Sequence, residues 1–185
     1  MIRDARKEDA EEIVELFKIV LVDMELPIME IVSWEKLKPV LVEAAKEEKY
    51  QISYKNAVVK ESEGKIIGFF YGYKGGTASQ SYEPIEALFK KYDFPPFDAD
   101  GEESFEGEWY LDTLVTKKAY RGKGIGKELL EAAFDKARAS GMALIGLDVD
   151  QVNPRAKALY ERMGFEKMDE VVLSNHNYDH MQRKV

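Results

Sequence analysis

Three glycines in five residues constrain this chain more than any other feature. The segment Arg121-Gly122-Lys123-Gly124-Ile125-Gly126 falls between a strand-like run, Glu108 to Val115, and a helix-like run, Gly124 to Ser140. Inside a regular element such a cluster is costly. At a strand–helix junction it lets a ligand approach the backbone. The first turn of a helix leaves amide N–H groups unpaired and presents the positive end of its dipole. Glycines there leave room for an anion, above all a phosphate. Lys117, Lys118, Arg121, Lys123 and Lys127 add five cations and no acid in eleven residues.

The flanking pattern sets the fold class. Ile125, Leu129, Leu130, Ala133, Phe134 and Ala137 share one helical face, and Gly141 suits the residue after that helix. Leu144 to Val149 reads as the next strand. Asn153 to Met163 is a second helix, with Asn153 as N-cap, Pro154 at its first position and Gly164 just past its end. Phe165 to Leu173 and Tyr178 to Arg183 read as strands. Upstream, Asn56 to Glu61 and Lys65 to Lys74 form a hairpin across Ser62-Glu63-Gly64. Helices are expected over Asp9 to Met24 and Trp34 to Glu48, the second with a kink or late start at Pro39. Thr77 to Gly107 is a long connection with a short helix near Pro84 to Lys91. A strand–helix–strand unit implies parallel pairing and the hairpin antiparallel pairing. The predicted fold is α/β (α+β): a mixed sheet flanked by helices on both faces.

Two common phosphate-binding signatures fail on residues. A Walker A loop needs Ser or Thr after Gly126-Lys127, and Glu128 stands there. A dinucleotide fingerprint starting at Gly124 needs Gly or Ala at Leu129; started at Gly122, it meets Lys127.

The pattern Arg121-x-x-Gly124-x-Gly126 resembles the acyl-CoA pyrophosphate loop of the GNAT superfamily of N-acyltransferases. The resemblance extends upstream through Leu111-Asp112-Thr113-Leu114-Val115. Downstream it takes in Asn153-Pro154-Arg155-Ala156-Lys157-Ala158-Leu159-Tyr160-Glu161-Arg162-Met163-Gly164-Phe165. It covers residues 108–166, and the N-terminal elements agree in order only. It implies one N-acetyltransferase domain over residues 1–185, with a mostly antiparallel sheet of six to seven strands. It implies transfer of an acetyl group from acetyl-CoA, as cosubstrate, to an amine, with no metal. Arg121, Gly122, Lys123, Gly124, Ile125, Gly126 and Lys127 are the implied pyrophosphate site. Leu114, Val115 and Thr116 occupy the stretch that meets the pantetheine arm. Asn153 matches a CoA contact, although capping already explains it.

Such a reaction needs alignment of a neutral amine, removal of a proton, and a proton or positive dipole for the departing thiolate. By resemblance Tyr160 is the candidate general acid; its other reading is a packing residue beside Leu159 and Met163. Asp112 is the first candidate base and Glu108 the second. On an unbroken strand these two share a face. A bulge, which the family often has in this strand, would separate them. Tyr178 and Asp179, in the same tail as the two histidines, could line an acceptor pocket but are not adopted as site residues. His176 and His180 read as solvent-facing or packing residues.

From Tyr92 to Thr116 there are eight acids and no Lys or Arg: Asp93, Asp98, Asp100, Glu102, Glu103, Glu106, Glu108 and Asp112. That block alone equals the formal net charge of −8. It either is solvated surface or draws a cationic acceptor to the adjoining strand. The expected acceptor is a small amine such as a polyamine, aminoglycoside or amino-acid-like compound. The alternatives are a protein or peptide amine, or a non-catalytic acyl-CoA-binding module. The acidic balance argues against nucleic acid. No apolar run reaches the length of a membrane span. The absence of cysteine excludes disulfides, thiolate metal sites and a cysteine nucleophile. A charged N-terminus argues against a signal peptide, so a cytoplasmic protein is expected, with a homodimer as one possible state.

Overall fold

A computed structural model describes residues 1–76, 78–96 and 103–185, without the side chains of residues 78–81. Asp98, Asp100 and Glu102 of the acidic block lie outside the described residues. In chain order the elements are β1 (Ile2–Asp4), α1 (Ala10–Asp23), α2 (Ile28–Ile31), α3 (Trp34–Ala45), β2 (Ala57–Ser62), β3 (Lys65–Lys74), α4 (Ala78–Lys91), β4 (Glu108–Thr116), α5 (Ile125–Ala139), β5 (Leu144–Asp150), α6 (Pro154–Arg162), β6 (Glu166–Leu173) and β7 (His176–Lys184). Among the described residues seven strands form one sheet in the order β1-β2-β3-β4-β5-β7-β6. Only β4 and β5 pair in parallel; every other neighbour is antiparallel.

The apolar run of β3 shows why helices cover both faces. Ile67 and Phe70 join the cluster under α5, with Leu129, Leu130, Ala133 and Phe134. Ile66, Phe69 and Tyr71 point the other way, against Ile13 and Leu16 of α1. The two faces of one strand thus feed two cores, with a bulge at Ile67 shifting the alternation partway along. Leu129 and Leu130 are completely enclosed, and truncating either to Ala should cost about 2–5 kcal/mol. A third cluster joins α1, α3 and α4 through Leu21, Leu37, Leu41, Leu88 and Phe89.

Helix ends follow local chemistry where that chemistry is strong. Gly141 and Gly164 adopt φ of 76° and 88°. Met142 and Phe165 donate back to the carbonyls of Ala137 and Tyr160, closing two Schellman caps. The Asn153 side chain accepts from the Ala156 amide at 3.2 Å, as its N-cap position predicts. Packing overrides local signals elsewhere. Helix α3 starts at Trp34 and runs through Pro39, without the late start the proline suggested. Helix α4 begins six residues before Pro84, held by Ile85, Leu88 and Phe89 on the third cluster. The short α2, with Pro27 as its N-cap residue, was not signalled by periodicity.

Candidate active site

Strand pairing makes the opening. β4 pairs with β5 only over Glu108–Tyr110 against Leu144–Gly146. Beyond those residues β5 continues along β7 and β4 along β3, so the two parallel strands splay. The wedge between them forms a cavity of about 480 Å³, lined by Tyr110–Leu114 of β4 and Leu147–Asp150 of β5. Helix α1, Gln51, Tyr82 and Glu103 close it on one side, and Asn153, Ala156 and Tyr160 on another.

Gly122 and Gly124 hold φ of 78° and 82° ahead of α5, values that strain any residue with a side chain. A Cβ on Gly124 would meet nothing within 4 Å, so the space before the helix is open. The amides of residues 122–127 have no hydrogen-bond acceptor among the described residues. Arg121, Lys123 and Lys127 stand exposed around them. Arg121 Nε donates to the Thr116 carbonyl at 3.2 Å, which ties the loop to the end of β4. This arrangement fits a diphosphate: several free donors, a helix dipole and three cations. The side chains of Val115 and Ile125 are core, so these two positions offer only backbone groups. Leu114 lines the wedge.

Asp112 owes its place to an irregularity. Tyr71 pairs with Thr113 but Gly72 pairs with Leu111, leaving Asp112 as the extra residue of a β-bulge. The bulge removes the shared face expected for residues 108 and 112. Asp112 lines the cavity; it accepts from the Tyr73 hydroxyl at 2.6 Å and the Thr113 hydroxyl at 2.8 Å. Burial raises its pKa against those two donors. Glu108 does not line the cavity. It is completely buried and accepts from Gln182 Nε2 at 2.7 Å and the Phe105 amide at 2.9 Å. Its carboxylate lies where any side chain at Gly146 would collide with it: a Cβ there would come within 1.9 Å.

Glu108 also meets His180. The imidazole spans two carboxylates, with Nε2 at 2.9 Å from Glu108 and Nδ1 at 2.6 Å from Asp148. Burial alone would favour the neutral ring, but Asp148 and Glu108 prevail and push the pKa up to about 9. Both ring nitrogens therefore donate, as an imidazolium. His180 is neither a solvent-facing nor a simple packing residue; the β5–β7 register sets it directly opposite Asp148. Tyr110 donates its hydroxyl to the other oxygen of Asp148 at 3.0 Å.

The acidic character of the cavity comes from Asp23, Glu103, Asp112, Asp148 and Asp150; among its described lining residues there is no Lys or Arg. Sequence reasoning did not name Asp23, Asp148 or Asp150, and it met Glu103 only as one acid of the block. Burial and the nearby Asp112 push its pKa up to about 8, while the Tyr82 hydroxyl donates to it. Tyr160 also lines the cavity, and its hydroxyl has no hydrogen-bond partner among the described residues. Burial lifts its pKa to about 12, so it stays protonated. Its ring packs on Phe165 at 5.9 Å. Tyr178 lines the cavity as well. Asp179 instead pairs with Lys157 at 2.6 Å and Lys167 at 2.9 Å.

The chain matches the Acetyltransferase (GNAT) family over residues 26–165. It belongs to that family. Two solved structures share the GNAT fold over nearly the full length. One, an acetyltransferase, is 39% identical with a TM-score of 0.88, covering 100% of this chain and 99% of that one. The other, an N-acetyltransferase from Staphylococcus aureus Mu50, is 28% identical with a TM-score of 0.88, covering 99% and 100%. N-alpha-acetyltransferase 30 of Saccharomyces cerevisiae is 41% identical over 59 residues, 32% of this chain and 34% of that protein. The chain spans about a third of the length of such curated relatives. These likenesses agree in placing the chain among the GNAT acetyltransferases. Among the described residues no helix is long and apolar enough to cross a membrane.

Proposed function

We propose that the chain transfers an acetyl group from acetyl-CoA to the primary amine of a small cationic acceptor. The observation that carries this reading is the cavity itself: about 480 Å³, with five acidic side chains and no Lys or Arg among its described lining residues. That volume suits a small molecule, and one sign of charge in a cleft concentrates the opposite sign.

The free amides of residues 122–127, with Arg121, Lys123 and Lys127, hold the diphosphate. The β5-facing edge of Leu114–Thr116, left unpaired by the splay, offers backbone groups to the pantetheine arm. Asn153 contributes by fixing the start of α6, which carries Tyr160. Acetyl-CoA supplies an activated thioester carbonyl and a thiolate leaving group. Glu103 and Asp112 act as a coupled pair that accepts the ammonium proton. Raised carboxylates are the better bases for an amine, because the closer pKa match eases proton transfer. Asp148, anchored by His180 and Tyr110, keeps a fixed negative charge in the cavity wall. Tyr160, protonated across the working range, donates to the departing sulfur.

A thiol-release assay over an amine panel tests this reading. Cationic amines should turn over faster than neutral ones at low salt, and added salt should narrow the gap. Equal rates on both, or no thiol release with any amine, would contradict it. A second reading, a polypeptide amine as acceptor, is favoured by the likeness to N-alpha-acetyltransferase 30. It requires peptides to outperform every small amine in the same assay.

A further inference from the structure

Beside the acidic cavity lies a second chamber, of about 60 Å³, between α1, α3 and α4. Its walls include Leu21, Leu37, Leu41 and Phe89, so it is apolar and suits a branched alkyl group or a small ring. The two spaces share a wall that includes Tyr82 and Gln51. Tyr82 lines the chamber while its hydroxyl reaches Glu103, which places the chamber next to the proposed amine site. At the same wall the Gln51 side-chain nitrogen is buried with no acceptor among the described residues. A buried amide donor calls for a partner, and a ligand oxygen entering here supplies one.

We propose that the acceptor is a primary amine with two features beside its amine-bearing carbon. One is a short apolar arm that fills the α1–α3–α4 chamber. The other is an uncharged carbonyl oxygen that accepts from Gln51 Nε2. The oxygen is uncharged because a carboxylate would meet the five acids of the adjoining cavity. Amides and esters of amino acids with aliphatic or small aromatic side chains have this chemistry, and so does a chain end that begins with such a residue. This inference rests on the acetyl-transfer reading and deepens it.

The test is a comparison of kcat/KM, with the full chain and acetyl-CoA, on glycinamide, leucinamide, 3-methylbutylamine, leucine and the tripeptide Leu-Ala-Ala amide. Leucinamide should exceed glycinamide by about tenfold or more, the usual discrimination of an apolar pocket. It should also exceed 3-methylbutylamine, which lacks the carbonyl, and leucine, which carries a charge. Leu41→Trp should fill the chamber and bring leucinamide down to the glycinamide rate while leaving glycinamide unchanged. Gln51→Leu should erase the advantage of leucinamide over 3-methylbutylamine, lower both amides alike and keep the preference for leucinamide over glycinamide; it keeps the test open should Leu41→Trp fail to fold. A preference for the tripeptide over leucinamide would identify a chain end as the source and support the chamber equally. Equal turnover of glycinamide and leucinamide overturns the chamber assignment and leaves acetyl transfer standing. No turnover of any of these amines overturns both.

Discussion

The two halves of the site are built by different means. On the α5 side the groups proposed to hold the ligand are main-chain amides, and their placement depends on backbone conformation: φ of 78° and 82° at Gly122 and Gly124. On the acceptor side the groups are side chains drawn from α1, β4, β5 and the segment around Glu103, and their placement depends on packing. A backbone site tolerates exchange of neighbouring charges but not of a glycine. A side-chain site fails when one atom of one carboxylate is changed. The common half can thus serve one cosubstrate while the other half varies with the acceptor.

The largest test of that contrast is Glu103→Gln. Replacing a positioned base should lower kcat by about a hundredfold or more at neutral pH, with affinity for CoA unchanged by calorimetry. The pH profile sharpens it. Glu103, pushed up to about 8, is protonated below that value and gains its base form above it. In the wild type kcat/KM should therefore climb with pH and level off above about pH 8, and the climb should vanish in Glu103→Gln. Tyr160, at about 12, should add no falling limb in the accessible range.

Gly124→Val should weaken CoA binding about tenfold to a hundredfold, the cost of a β-branched residue held at positive φ. Lys123→Ala beside it should cost only a few-fold, since exposed charges contribute little. A reversed order in equilibrium titrations would mean that side chains, not amides, hold the diphosphate. Tyr160→Phe should lower kcat about tenfold without changing CoA affinity, a smaller effect because a thiolate leaves readily.

The last effect concerns stability rather than rate. The His180 pKa rises from the ordinary imidazole range to about 9 on folding. Its contribution is therefore complete below about pH 6.5 and is lost as pH rises through the folded value. Thermal melts should show a wild-type decline between those limits that His180→Gln flattens. His180→Ala, which leaves two buried carboxylates unpaired, should cost about 3 kcal/mol at neutral pH.

Legibility in the sequence follows the same division. Gly122, Gly124, Gly141, Asn153, Pro154 and Gly164 each answer a local backbone demand, so spacing alone located the wedge's helix, both caps and the glycine turn before α5. Asp112 was reachable through the strand that carries it, but the bulge that turns it into the cavity was visible only as a possibility. The acceptor half was largely illegible, because it is assembled over long range. Glu103 was one acid among eight. Asp148 was a polar residue in an apolar strand. Gln51 and Tyr82 carried no local signal at all. Gly146, an isolated glycine in a strand, was the one mark of Glu108's burial. Asp179, weighed for a pocket role and not adopted, is claimed by Lys157 and Lys167 from elements that only the fold brings near.

Calorimetric titration of coenzyme A into the wild type, Gly124→Val and Glu103→Gln tests the division most directly. The account predicts saturable binding to the wild type, a marked loss in Gly124→Val and full retention in Glu103→Gln. Absence of binding to the wild type, or binding indifferent to Gly124→Val, would contradict it.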